Sequence, residues 1–217
     1  MSEQNKGLHQ NQPVFASGEP LERAGAAMVL VHGRGATAQD ILTLAAELDQ
    51  PGFANLAPQA AGNTWYPYSF LAPIERNEPY LSSALAALGQ LLAHVAAAGI
   101  PAERTILLGF SQGACLATEF AARNARRYGA LVGLSGGLIG PDGTPRDYSG
   151  SLDGTPVFLG CSDVDPHIPA ARVQHSAEVL RRLGGDVTAR LYPGMGHTVN
   201  QDEIEFVRGL MAKLTDA

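Results

Sequence analysis

The chain has 217 residues, 45% of them apolar and 17% charged, which suits one well-buried domain of a soluble globular protein and is short for two. A formal net charge of −6 with no basic patch argues against nucleic acid or an anionic membrane as partner. Residues 1–12 are polar and lack the apolar core of a signal peptide, the other apolar runs read as too short to cross a bilayer, and two cysteines, Cys115 and Cys161, read as reduced core thiols, so no integral membrane association and a cytoplasmic location are expected.

In chain order, residues 1–25 read as a tip with an edge strand or hairpin at 13–16, because Ser17-Gly18-Glu19-Pro20 is turn chemistry. The main domain is expected over 26–217. Residues 26–31 form a buried-strand run ending at His32-Gly33-Arg34-Gly35, and Thr37 caps a helix reaching about Leu48. Residues 53–57 read as the next strand. The stretch 58–79 is aromatic-rich and has no helical period; long connections of this kind are usually functional, which makes Trp65, Tyr66 and Phe70 candidates for a substrate wall. An aromatic plug packed beneath the loop is the alternative. Residues 80–98 are a helix rich in alanine and leucine that stops at Gly99-Ile100-Pro101.

Next comes a buried-strand run, Thr105-Ile106-Leu107-Leu108, then Gly109-Phe110-Ser111-Gln112-Gly113, then a helix expected to reach Arg127. Strand, G-x-S-x-G and helix in succession describe a nucleophile elbow, in which the serine hydroxyl projects from a strained turn and the glycines let strand and helix approach closely. A second G-x-S-x-G at Gly133, Ser135 and Gly137 also follows a strand run, but Gly136 to Gly143 cannot open a helix, so Ser135 reads as a strand-end turn. Residues 155–161 are a strand, 170–183 a helix, 187–192 a strand and 201–214 the last helix. Strands alternating with helices imply a mostly parallel sheet covered on both faces. The twenty or so residues between Leu134 and Thr155 are too few for a large cap domain.

A serine nucleophile needs a base, an orienter for that base and oxyanion donors. His197, in Pro193-Gly194-Met195-Gly196-His197, follows the last strand and is the candidate base. Asp163 and Asp165, after the preceding strand, are both candidate orienters. Ser, Asp, His is the chain order of α/β-hydrolases, and in that fold the oxyanion donors are the backbone N–H groups of Gln112 and of Arg34 in the early glycine loop. Cys115 is not at the elbow apex, which argues against a cysteine hydrolase. His9, His94 and His175 lack metal-ligand spacing and read as surface or helix residues.

Taken together, G-F-S-Q-G-A, H-G-R-G, D-P-H-I-P and G-M-G-H resemble the bacterial phospholipase/carboxylesterase family, relatives of acyl-protein thioesterases, from about Ala26 to Leu214. The resemblance implies an α/β-hydrolase fold without a large cap, a Ser111-Asp165-His197 triad, oxyanion donors Arg34 and Gln112, no cofactor and no metal. Its substrate would be a small-molecule ester or thioester, with a small or medium acyl ester as the first reading and a lysophospholipid or acyl-protein as the alternative. A non-catalytic ligand-binding member would lack a triad residue, and this chain has all three. A homodimer is compatible with this reading. Ala36, where relatives often have Asp, and Cys161-Ser162-Asp163, where they often have H-G-D, depart from the family pattern beside the site.

Overall fold

The apolar runs become strands with almost no solvent-facing side: β2 (Ala26–Val31), β3 (Phe53–Pro58) and β5 (Ala130–Leu134) are buried along their whole length, and β4 (Thr105–Phe110) is buried up to its last residue. Strands of that kind need helices on both faces. In the computed structural model, which describes residues 7–215, they form a seven-stranded sheet with β1 (Val14–Gly18), β6 (Pro156–Ser162) and β7 (Asp186–Tyr192), in the order β1-β3-β2-β4-β5-β6-β7. β1 runs antiparallel to β3 and every other pair is parallel. Helices α1 (Ala38–Leu48) and α5 (Gln201–Thr215) pack on one face; α2 (Tyr80–Ala97), α3 (Gln112–Arg123) and α4 (Ala170–Arg182) pack on the other.

The parallel register matters for function, because it brings the residues that follow β2, β4, β6 and β7 to one rim of the sheet. Thr37 closes a capping box with Asp40 at the start of α1, the local chemistry that fixes where the glycine loop ends and the helix begins.

Three sequence readings change. α3 stops at Arg123 rather than Arg127: the chain leaves the helix at Asn124, Ala125 pairs with Gly150, and Tyr128 is buried with its hydroxyl donating to the Asn124 carbonyl at 2.8 Å. Tertiary pairing takes those four residues out of the helix. α2, at 18 residues and mean hydropathy 1.3, is long and apolar enough to span a membrane, contrary to the reading of the apolar runs as too short. It lies in the helix layer with Leu81, Ala84, Leu88 and Leu92 packed in the core. Finally, His9 is not a surface residue. It is 3% exposed, and its imidazole bridges the 58–79 loop, accepting from the Ala61 N–H at Nδ1 (3.0 Å) and donating from Nε2 to the Trp65 carbonyl (3.0 Å).

Candidate active site

Ser111 stands between β4 and α3 with φ 55° and ψ −120°, a region in which a non-glycine residue is strained. The turn holds because its neighbours leave no choice: a Cβ on Gly109 would collide with the Gly113 backbone, and one on Gly113 with the Val31 carbonyl of β2. The Ser111 N–H donates to the Leu134 carbonyl at 2.9 Å, fixing the elbow to the end of β5. Ser135 also has a positive φ, 51°, but it is fully buried and no helix follows it.

His197 reaches Ser111 from the loop after β7. Its Nδ1 donates to Asp165 Oδ2 at 2.7 Å, which leaves Nε2 to accept the Ser111 hydroxyl at 2.8 Å. Oδ1 of the same carboxylate accepts the N–H groups of His167 (2.8 Å) and Ile168 (3.0 Å), and the Cys161 thiol lies 3.7 Å from Oδ2. Burial alone would push the Asp165 carboxyl up, but the hydrogen bonds from His197 and the two amides outweigh it and hold the group below the usual carboxylate range. It is therefore an anion at neutral pH, aimed at the imidazole. Asp163 does something else. Its Oδ1 accepts the Gly194 N–H at 2.8 Å, so it pins the loop that carries His197 instead of touching the ring. The Ser162 hydroxyl, not the Asp163 carboxylate, makes the local turn, by accepting the Val164 N–H.

The backbone N–H groups of Arg34 and Gln112 make no hydrogen bond among the described residues. Their side chains, which the motifs left unassigned, clamp the aromatic loop. Gln112 Oε1 accepts the Trp65 N–H at 2.9 Å and Nε2 donates to the Tyr66 carbonyl at 2.8 Å; the Arg34 guanidinium donates to the carbonyls of Pro67 (2.8 Å) and Tyr68 (2.6 Å). The loop so held forms one side of a cavity of ≈ 440 Å³ that contains Ser111 and His197 and is lined by Tyr66 and Phe70.

Trp65 is not part of that lining. It is fully buried, its Nε1 donates to the His32 carbonyl at 2.9 Å, and its ring packs between His9 and His32, at 5.4 and 5.0 Å. Trp65 is thus the plug beneath the wall and the adjacent Tyr66 is the wall. Bulk and aromaticity suit both places, so composition could not separate them. His32 accepts the Ala60 N–H at Nε2 and donates from Nδ1 to the Gly33 carbonyl, and burial lowers the pKa of both His9 and His32.

Two further residues at the cavity were not singled out as lining it. Cys115 is four residues after Ser111, a spacing that places it beneath the serine on the same helical face; burial raises its thiol to about 12, which keeps it protonated. His167 meets the His197 ring edge-on at 4.9 Å, and its signal was its place in D-P-H-I-P. Among the described residues no three His, Cys, Asp or Glu side chains converge as metal ligands would.

A crystal structure of a phospholipase/carboxylesterase from Dyadobacter fermentans is similar to this chain with 44% identity and a TM-score of 0.90, covering 96% of this chain and 100% of that one. The crystal structure of esterase PE8 is similar with 25% identity and a TM-score of 0.74, covering 94% and 98%. Acyl-protein thioesterase 1 of Gibberella zeae is 36% identical over 118 residues, which are 53% of this chain and 50% of that protein. The chain spans about half the length of the curated relatives it matches. The family described as Phospholipase/Carboxylesterase matches residues 13–215, and the chain belongs to that family, with its α/β-hydrolase fold.

Proposed function

We propose that the protein is a serine carboxylesterase that cleaves small to medium acyl esters through an acyl-enzyme on Ser111. The observation that carries this reading is the unbroken hydrogen-bonded line Asp165–His197–Ser111, at 2.7 and 2.8 Å, with the imidazole in the tautomer that can take the serine proton. Ser111 Oγ attacks the ester carbonyl carbon while its proton passes to His197 Nε2. The carbonyl oxygen, now an oxyanion, is received by the N–H groups of Gln112 and Arg34, each such donor being worth about 10²- to 10³-fold in rate. As the C–O bond breaks, His197 returns the proton to the leaving alcohol. Water, deprotonated by His197, then attacks the acyl-enzyme and frees Ser111 and the carboxylic acid. Asp165 stays ionised throughout and stabilises the imidazolium.

Thioesters and lysophospholipids are the second reading, supported by the similarity to acyl-protein thioesterase 1. Tyr66 and Phe70 at the cavity favour short and medium acyl chains over long ones. We place the enzyme in the cytoplasm, because both cysteines are free and buried. The test is labelling by a fluorophosphonate together with ester turnover. Ser111→Ala should abolish both and Ser135→Ala should retain both; labelling that survives the first and is lost in the second would overturn the assignment.

A further inference from the structure

The cavity around Ser111 is lined by Arg34 and, among the described residues, by no Asp or Glu, in a chain of net charge −6; the Asp165 carboxylate behind it is engaged by His197 and two backbone amides. Each aromatic side chain of its wall has a guanidinium over the ring: Arg34 over Tyr66 at 6.0 Å, Arg76 over Tyr68 at 4.3 Å and Arg172 over Phe70 at 5.9 Å. Arg172 is neutralised by Asp142 at 2.7 Å, whereas Arg34 and Arg76 have no carboxylate partner among the described residues. The two carbonyls that Arg34 touches are neutral. They fix the direction of the guanidinium, leave its charge uncompensated and occupy two of its five N–H donors. An oriented, unpaired cation at the mouth of a site is what recognises a carboxylate.

We propose that the preferred substrates are esters carrying a carboxylate within a few bonds of the scissile carbonyl, with Arg34 as the specificity-determining side chain and Arg76 adding a weaker field behind Tyr68. The inference rests on the esterase reading of the same site. It adds a second role to Arg34, whose N–H serves the oxyanion while its side chain selects the substrate's charge.

The test compares matched pairs that differ only in charge: nitrophenyl hemiglutarate against nitrophenyl pentanoate for the acyl side, and 4-acetoxybenzoate against phenyl acetate for the alcohol side. The readout is the anionic-to-neutral ratio of kcat/KM within each variant, so that a general loss of turnover cancels. In at least one pair, Arg34→Gln should lower the ratio about tenfold, Arg34→Lys should keep most of it, and Arg76→Gln should lower it about twofold. For the wild-type chain, raising the ionic strength from about 0.01 M to about 1 M shortens the screening length from about 30 Å to about 3 Å and should lower the ratio severalfold. Ratios unmoved by Arg34→Gln and by salt, with neutral esters still turned over, would overturn the inference and leave the esterase reading intact. No turnover of either member of either pair by the wild-type chain would overturn both.

Discussion

Replacing Glu203 with glutamine should make folding stability less sensitive to alkali, by an amount the structure sets. Glu203 is the third residue of α5 and fully buried. Its Oε2 accepts the Asn200 N–H at 2.9 Å while its own N–H donates to Asn200 Oδ1 at 3.0 Å, a capping box that ties the end of the His197 loop to the helix. Oε1 faces Gly160 of β6, where a Cβ would collide with it, and has no hydrogen-bond partner among the described residues. Burial raises the carboxyl from 4.5 to about 7; the Asn200 amide opposes the rise and the charge of Asp202 adds to it. A carboxyl raised by folding favours the fold while it is protonated in both states, below about pH 4.5, and that contribution is lost as pH rises through about 7. The gap is worth up to about 3 kcal/mol, at about 1.4 kcal/mol per tenfold change in proton affinity. Urea unfolding of the wild-type chain and of Glu203→Gln at pH 4.5 and pH 8.5 measures it. Any fixed cost of the amide cancels between the two pH values, so the variant should gain about 2–3 kcal/mol relative to wild type on going to pH 8.5. A difference that stays within about 0.5 kcal/mol between the two pH values would refute the argument that Glu203 is a costly buried anion.

Asp165→Asn should keep the fold but favour the wrong imidazole tautomer, for a loss in kcat of several orders of magnitude, about 10⁴ being the scale in the serine-protease triad. Asp163→Asn only weakens the grip on Gly194 and should lose far less; kcat values in the reverse order would exchange their roles. The sole tryptophan, Trp65, reports on the plug by its fluorescence. Because burial lowers the pKa of His9 and His32, the fold holds both neutral and loses stability as pH falls below their ordinary value of 6.5. In Glu203→Gln, where the opposing titration of Glu203 is removed, Trp65 emission should therefore shift to the red at lower urea concentration at pH 5 than at pH 7, and equal midpoints would refute the coupling.

The elbow was legible because its requirement is local. Ser111 needs a strand, two glycines and a helix in immediate succession, and sequence displays succession directly. The same rule separated Ser111 from Ser135, whose backbone is equally left-handed. The triad order was legible for a related reason: in a parallel sheet every βα turn reaches the same rim, so chain order becomes spatial proximity without knowledge of side-chain packing. Hidden from the sequence were the features decided by partners far away in the chain. His9 is buried because it lies 56 residues from a carbonyl it can reach, and α3 ends early because Ala125 finds Gly150.

The aromatic loop shows why a motif can place a residue and still miss half of what it does. Arg34 and Gln112 were chosen for their backbone N–H groups, since those are what the fold presents to the oxyanion, and that argument is indifferent to the side chain. In the structure the two side chains hold residues 65–68 by four hydrogen bonds. The positions proposed to receive the oxyanion are therefore also those that hold the aromatic loop beside Ser111. A side-chain substitution at either position leaves the N–H in place yet releases the wall. Its first effect should fall on substrate fit, and on the oxyanion only as the loosened loop lets the turn relax.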